Sequence, residues 1–260
     1  MLYRQIIDQG YCLLPAAVDA SFVQHLVRRC AEAFHSTLAE GSALASQGHV
    51  FAARNVIELI PEVGDFWRRG VIAALLREAL GEGCGLVRAL FFDKPPERTW
   101  TLPWHKDCSI AVADNSLPSA HFSRPTYKAG VPHVIASAEI LDRMLTLRLH
   151  LDPVDDENGP LKVIPGSHRM DDAPGARSAA AVVIHASPGD VLAMRPRIDH
   201  CSGASLGGTM RHRRILHLEF ASMATLPDGY RWRQFLPLVD DTLANASVGD
   251  DLRTPVGRSQ

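Results

Sequence analysis

The feature that most limits this chain is a change of hydrophobic period near residue 85. Before it, apolar residues recur at helical spacing: Phe22, Val23, Leu26, Val27, Cys30 and Phe34 follow Ser21, a fitting N-cap, and Gly41 is the expected stop. A second helix is predicted from about Glu62 to Leu80, with Phe66, Val71, Ile72, Leu75, Leu76 and Leu80 on its apolar side and Gly81 ending it. Between the two, HVFAARNVIELI has room for a short strand. From Gly85 onward the runs shorten and alternate: GLVRALFF, LPWHKDCSIAV, MLTLRLHL, LKVIP, AVVIHA, DVLAM and RRILHLEF. Turn signals divide them, in DKPPER, DDENGP, PGSH, SPGD and SGASLGG. Many short strands after a helical start predict a mainly β chain, a double-sheet jelly roll with N-terminal helices packed outside. The expected organisation is one domain over 1–260: a helical part (1–84), a β core (85–222) and a C-terminal extension (223–260). Residues 170–180 and the last fifteen read as polar and weakly ordered.

With 260 residues and 46% hydrophobic content, one substantial core is feasible. The net charge of -2, with basic residues spread along the chain, predicts neither a nucleic-acid nor a membrane partner. Five cysteines without a C-x-x-C pair argue against a disulfide framework or a zinc knuckle. The N-terminal MLYRQIIDQGYCLLP lacks the pattern of a signal peptide. No apolar run approaches the roughly 20 residues that span a bilayer. A soluble, cytoplasmic protein is expected.

The sharpest local pattern is PWHKDCSIAV. In extended chain, positions two apart point to the same face, so His105 and Asp107 can meet one metal ion from one side. His200, in MRPRIDHCSGAS at the end of a predicted strand, can complete the set. Two histidines and one carboxylate on one face of an octahedron leave positions open, the arrangement of non-haem Fe(II) oxygenases. H-x-D is common by chance, and most single histidines are structural. Arginine adds weight. RHRRILHLEF places Arg211, Arg213, Ile215, His217 and Glu219 on one face of a strand, with Arg214, Leu216, Leu218 and Phe220 on the other. A guanidinium binds a carboxylate through a planar fork that lysine cannot supply. Arg148 lies in an apolar run and, if buried, needs a partner.

Taken in order, PWHKD, DENGPLKVIPGSH, SPGDVLAMRP, DHCSGAS and RRILHLEF resemble the phytanoyl-CoA dioxygenase family of 2-oxoglutarate oxygenases, over about Gly85 to Phe220. The resemblance implies a double-stranded β-helix (cupin-like). It implies Fe(II) held by His105, Asp107 and His200, and 2-oxoglutarate and O2 as cosubstrates. In the family the 2-oxoglutarate arginine commonly follows the distal histidine by eleven residues, which is Arg211. The strand RRILHLEF matches better with Arg213 in that role, the extra length lying in GASLGGTM; Arg211 is the second choice. The hydroxyl two residues after the distal histidine, Ser202, is a further candidate for cofactor binding. His168 matches a family position that is not a ligand, and Lys94 and Trp104 are possible pocket residues.

The resemblance implies a dioxygenase that oxidises, by hydroxylation above all, a small organic substrate, with release of succinate and CO2. Halogenating relatives replace the carboxylate ligand with a small residue; Asp107 is present here. Two other classes stay open: a metal-dependent hydrolase using the same three ligands, and a non-catalytic binding protein on the same fold. Ala113 to Ala138 has no clear strand pattern and carries His121, Arg124, Tyr127, Lys128 and His133 against a single acid, Asp114. It reads as a lid at the barrel mouth, with Arg124, Tyr127 and Lys128 as candidate contacts to an anionic substrate.

Overall fold

A computed structural model describes residues 1–37, 43–46, 49–96 and 99–239. Its strands are β1 (Tyr11–Leu14), β2 (Ala43–Ser46), β3 (His49–Ala53), β4 (Gly85–Phe92), β5 (Leu102–His105), β6 (Ser109–Ala111), β7 (Phe122–Lys128), β8 (Val131–Ala136), β9 (Met144–His150), β10 (Leu161–Val163), β11 (Val182–Ile184), β12 (Val191–Met194), β13 (His200–Ser202), β14 (Ile215–Ala221) and β15 (Leu236–Pro237). Helices are α1 (Leu2–Gln9), α2 (Ala20–Thr37), α3 (Val56–Leu59), α4 (Gly70–Leu80) and α5 (Ala138–Leu141). The large antiparallel sheet runs β1-β12-β9-β14-β4-β3-β2, with β15 also on β4. The small sheet, β11-β10-β13-β5, completes a double-stranded β-helix, and β6-β8-β7 form a third sheet beside it.

Strand alternation sorts β9 and β14 into two faces. Leu145, Leu147 and Leu149 of β9 join Leu216, Leu218 and Phe220 of β14 against Ile6 of α1, Leu26 and Cys30 of α2, and Ile72, Leu75 and Leu76 of α4. Each such side chain contributes about 1.5–3 kcal/mol through burial. The helical layer therefore fixes the outer face of the large sheet. The alternate residues, Arg148 of β9 with His217 and Glu219 of β14, turn inward and line a cavity. Leu161, Val163 and Ile184 of the small sheet pack with Leu192 and Met194 of β12 and hold the two sheets together.

The short strand expected in HVFAARNVIELI is β3, which extends the large sheet beside β4, whereas β1, paired with β12, departs from the expected helical reading. The helix expected from Glu62 begins only at Gly70, whose left-handed φ of 60° a continuous right-handed helix cannot pass through; 3-10 turns fill Pro61–Gly64 and Phe66–Arg68. The α2 helix starts at Ala20, one residue before Ser21, while Gly41 and the last fifteen residues lie outside the described residues. The segment 170–180 is tied down, since the Gly175 N–H donates to Asp199 at 3.1 Å and Gly175 packs on Trp104.

The largest correction concerns the expected lid. Residues Phe122–Lys128 and Val131–Ala136 form a hairpin paired through Lys128 and Val131, and β6 pairs with its second strand. Ala129 and Gly130, with φ of 50° and 74°, make the two-residue turn that suits strand twist. An Ala-Gly turn carries a weaker signal than Asn-Gly, and β7 hides its strand character behind Pro125 and a bulge between Ser123 and Thr126. Arg124 sits in that bulge with φ 49°.

Candidate active site

Neighbouring strands β5 and β13 set His105 opposite His200, with ring centroids 4.1 Å apart. Strand β5 ends at His105, so Asp107 is not itself in a strand, but the alternation continues. His105 and Asp107 face the cavity, and the Lys106 ammonium turns away. It donates to the carbonyls of Ser167 and Arg197, each at 2.8 Å, and of Met170 at 3.2 Å, and lies 3.0 Å from Asp199. The Asp107 N–H donates to the Pro196 carbonyl at 2.8 Å. Lys106 thus fastens the His-Lys-Asp segment to the His200 loop from behind, a positioning role the sequence reading missed.

The metal-facing atoms of His105, Asp107 and His200 all lie within 4.8 Å of one another. The Nδ1 of His105 contacts the Pro103 carbonyl at 2.8 Å, and that of His200 contacts the Ile198 carbonyl at 3.0 Å. A carbonyl only accepts, so both Nδ1 atoms donate and both Nε2 lone pairs are free toward Asp107, each 3.5 Å from a carboxylate oxygen. Burial drives the His200 ring down to about 4, which keeps it neutral at pH 7. Burial alone would raise the Asp107 carboxyl, but His200, His105 and His217 bring it well below the usual carboxylate range. Its Oδ2 is buried with no hydrogen-bond partner among the described residues. A divalent cation would satisfy that atom and both lone pairs together, so this donor set fits the Fe(II) expected from the sequence.

Arg148 donates to Nδ1 of His217 at 3.0 Å. Arginine only donates, so the His217 proton sits on Nε2, which faces Glu219 at 3.5 Å and Asp107 at 3.9 Å. Arg148 therefore has no carboxylate of the described residues as its hydrogen-bond partner. His150, at the end of β9, is buried and contacts the Asp190 carbonyl at 3.2 Å.

Arg213 is 1% exposed and lines the same cavity. Its Nη1 donates to the Gly159 carbonyl at 2.9 Å, and its Nε has no partner among the described residues. Burial first, and Arg148 second, push this guanidinium down to about 9. Gly159, at φ 67°, can present that carbonyl because it has no side chain; a Cβ would sit 2.5 Å from the Gly203 carbonyl oxygen. Lys94 is fully buried and donates to Gly159, to Gly203 and, at 3.2 Å, to Oγ of Ser202. Trp100 lies under both cations, 4.8 Å from the Lys94 nitrogen and 5.7 Å from the Arg213 guanidinium carbon.

Arg211 is corrected. Strand β14 begins at Ile215, so Arg211 is not held to the face of Arg213. It turns outward to Asp155 at 2.6 Å and Glu157 at 3.2 Å, away from the cavity. Its pairs are well exposed to solvent, where screening leaves them little worth. Arg211→Ala is expected to change the apparent 2-oxoglutarate affinity less than about threefold, with a melting shift set by that small energy. Titration and thermal denaturation of the variant check this.

Of the expected substrate contacts only Lys128 reaches the cavity, where it donates to Ser109 Oγ at 2.8 Å. Tyr127 is 70% exposed, and Arg124 points from the hairpin bulge to solvent, so neither lines the site. Trp104 is likewise outside it, and His168 contacts the Ile7 carbonyl at 3.1 Å. The sequence reading missed Arg54, Arg88 and Trp100, which do line the cavity of about 430 Å³. Alternation along GLVRALFF places Arg88 on the face of Leu90 and Phe92; nothing in the sequence marks Arg54 or Trp100.

Residues 7–213 match the phytanoyl-CoA dioxygenase (PhyH) family. The chain belongs to that family. Among its relatives is the iron/alpha-ketoglutarate-dependent dioxygenase penM of Penicillium thymicola, 38% identical over 74 residues. That alignment covers 28% of this chain and 23% of the relative's length. Similar solved structures include AviO1 from Streptomyces viridochromogenes Tue57, with TM-score 0.62 and 21% identity over 87% of this chain and 96% of that one. Another is SnoN, a non-heme alpha ketoglutarate dependent epimerase from nogalamycin biosynthesis, with TM-score 0.61 and 20% identity over 100% of this chain and 94% of that one. At such identities the likeness is one of fold. Among the described residues no helix is long and apolar enough to cross a membrane.

Proposed function

We propose that this member of the phytanoyl-CoA dioxygenase family is an Fe(II)- and 2-oxoglutarate-dependent dioxygenase that oxidises a small organic substrate. The observation that carries the reading is a buried Arg213, without a protein carboxylate among the described residues, in the same cavity as a two-histidine, one-carboxylate set. A metal-dependent hydrolase would need the second feature and not the first. Iron, when bound with 2-oxoglutarate and O2, supplies the oxidation, and the cosubstrate leaves as succinate and CO2.

The chain's own residues do the positioning. His105, His200 and Asp107 hold the metal. Arg213 takes the distal carboxylate of 2-oxoglutarate in a dry setting where a guanidinium pair is strong. Lys94 gives one of its protons to Ser202 Oγ, so the Ser202 hydroxyl proton is free to turn to a cosubstrate oxygen. The buried Arg148 guanidinium attracts the Asp107 carboxylate and favours its ionised form. Asp107 and His105 remain about one-third exposed, the open side from which substrate reaches the site. We read the chain as a single oxygenase domain, and five free cysteines fit a reducing, cytoplasmic setting.

Anaerobic addition of Fe(II) and 2-oxoglutarate should produce the weak visible charge-transfer band of a metal-bound 2-oxo acid. Air should then yield succinate. Neither band nor succinate, with Zn(II) supporting hydrolysis of an ester instead, would replace this reading with the hydrolase.

A further inference from the structure

The cavity carries more positive charge than iron and 2-oxoglutarate account for. Arg54, Arg88, Lys128, Arg148 and Arg213 line it, while Asp107 and Glu219 are the carboxylates among its lining residues. Lys106 also contributes to the wall, but its ammonium is turned out to Asp199. Five cations thus face two carboxylates. A bound Fe(II) and a 2-oxoglutarate dianion cancel each other in charge, so the surplus survives full loading.

The surplus is also divided in space. Arg213 and Glu219 share the inward face of the β14 segment six residues apart, which is about 20 Å of extended chain. His217, beside Asp107, lies between them. Arg213 therefore serves one end of the cavity. At the other, Glu219 pairs with Arg88 at 3.1 Å across the β14–β4 register and neutralises it. Arg54, just beyond β3, and Lys128, at the tip of the β7 strand, are left over there. Arg54 has neither hydrogen bond nor ion pair among the described residues, and Lys128 meets only the Ser109 hydroxyl. Burial lowers both cations from their ordinary values. Two partly desolvated cations from different elements face one cavity in which the nearby Glu219 carboxylate is already paired with Arg88, and together they form a receptor for an oxyanion.

We infer that Arg54 and Lys128 bind an anionic group of the primary substrate, a carboxylate or a phosphate monoester, at the end of the cavity opposite Arg213. This rests on the dioxygenase reading, and it moves the expected anion contact from Arg124 and Tyr127 to Arg54. The substrate C–H bond to be oxidised then lies between its anionic group and the metal.

The test uses the Fe(II)- and 2-oxoglutarate-loaded full chain, kept anaerobic. Matched probes are added: aliphatic and aryl carboxylates, their primary amides, and the corresponding phosphate monoesters. Binding is read as perturbation of the charge-transfer band, and then as stimulated succinate release in air. At least one acid should bind at least about tenfold more tightly than its amide, a difference of about 1.4 kcal/mol. Arg54→Gln and Lys128→Gln should each erase most of that preference, whereas Arg124→Gln should keep it. The carboxylate and phosphate arms show which oxyanion is preferred. Absence of the band before any probe is added would defeat the dioxygenase reading itself. A normal band with no acid preferred over its amide, or a preference that survives in both Gln variants, overturns the subsite.

Discussion

Asp107→Ala is expected to abolish 2-oxoglutarate turnover, lowering kcat/KM at least about a thousandfold, which is about 4 kcal/mol of lost transition-state stabilisation. The size follows from what surrounds the carboxylate. Asp107 is the anionic donor of the proposed set; both imidazoles are neutral when they ligate. Without it a dication would share its cavity with Arg148 and with two neutral rings, and no other group of the set would offset its charge. His105→Ala and His200→Ala should be nearly as damaging, because each removes a lone pair fixed in direction by a backbone carbonyl. The fold should persist in all three, since Lys106 holds this segment through backbone carbonyls and Asp199 rather than through the ligands. Succinate release, bound iron after desalting, and melting temperature together separate loss of metal from loss of fold. If all three variants released succinate at the wild-type rate, the ligand assignment would fall.

The parts of this molecule legible in its sequence are those governed by short-range periodicity. Alternation in MLTLRLHL and RRILHLEF sorts residues correctly to the helix-covered face, as with Leu147 and Leu218, and to the cavity, as with Arg148 and His217. The same period brings His105 and Asp107 to one side even though the strand stops between them. What the sequence conceals depends on partners far along the chain. Arg211 and Arg213 are equivalent by alternation, yet Asp155 and Glu157 draw the first outward while Gly159 receives the second inside. The hairpin around Ala129 and Gly130 has a polar outer strand and a weak turn signal, so it resembled a loop. Arg54 reaches the cavity only because β3 is added to the edge of β4, a pairing of segments about forty residues apart.

Arg213→Ala should weaken apparent 2-oxoglutarate affinity by at least about thirtyfold, since losing one member of a buried, hydrogen-bonded charge pair costs roughly 2–5 kcal/mol and 1.4 kcal/mol is about tenfold. Arg213→Lys should recover little of it. A lysine ammonium lacks the planar fork, and Lys94 already spends its donors on Gly159, Gly203 and Ser202. The stability readout moves differently. Burial lowers the Arg213 guanidinium to about 9, so its charge is disfavoured until an anion arrives. The ligand-free Arg213→Ala protein should therefore melt close to the parent or above it. Its response to ligand should shrink: at a concentration one hundred times the parent Kd, 2-oxoglutarate stabilises the parent by about 2.7 kcal/mol. A thirtyfold weaker variant gains only about 0.9 kcal/mol at that concentration. Thermal melts with Fe(II) replaced by a redox-inert divalent ion, with and without 2-oxoglutarate, measure both quantities in one experiment. A full ligand-induced shift in Arg213→Ala, with the loss appearing in Arg211→Ala instead, would transfer the cosubstrate role to Arg211.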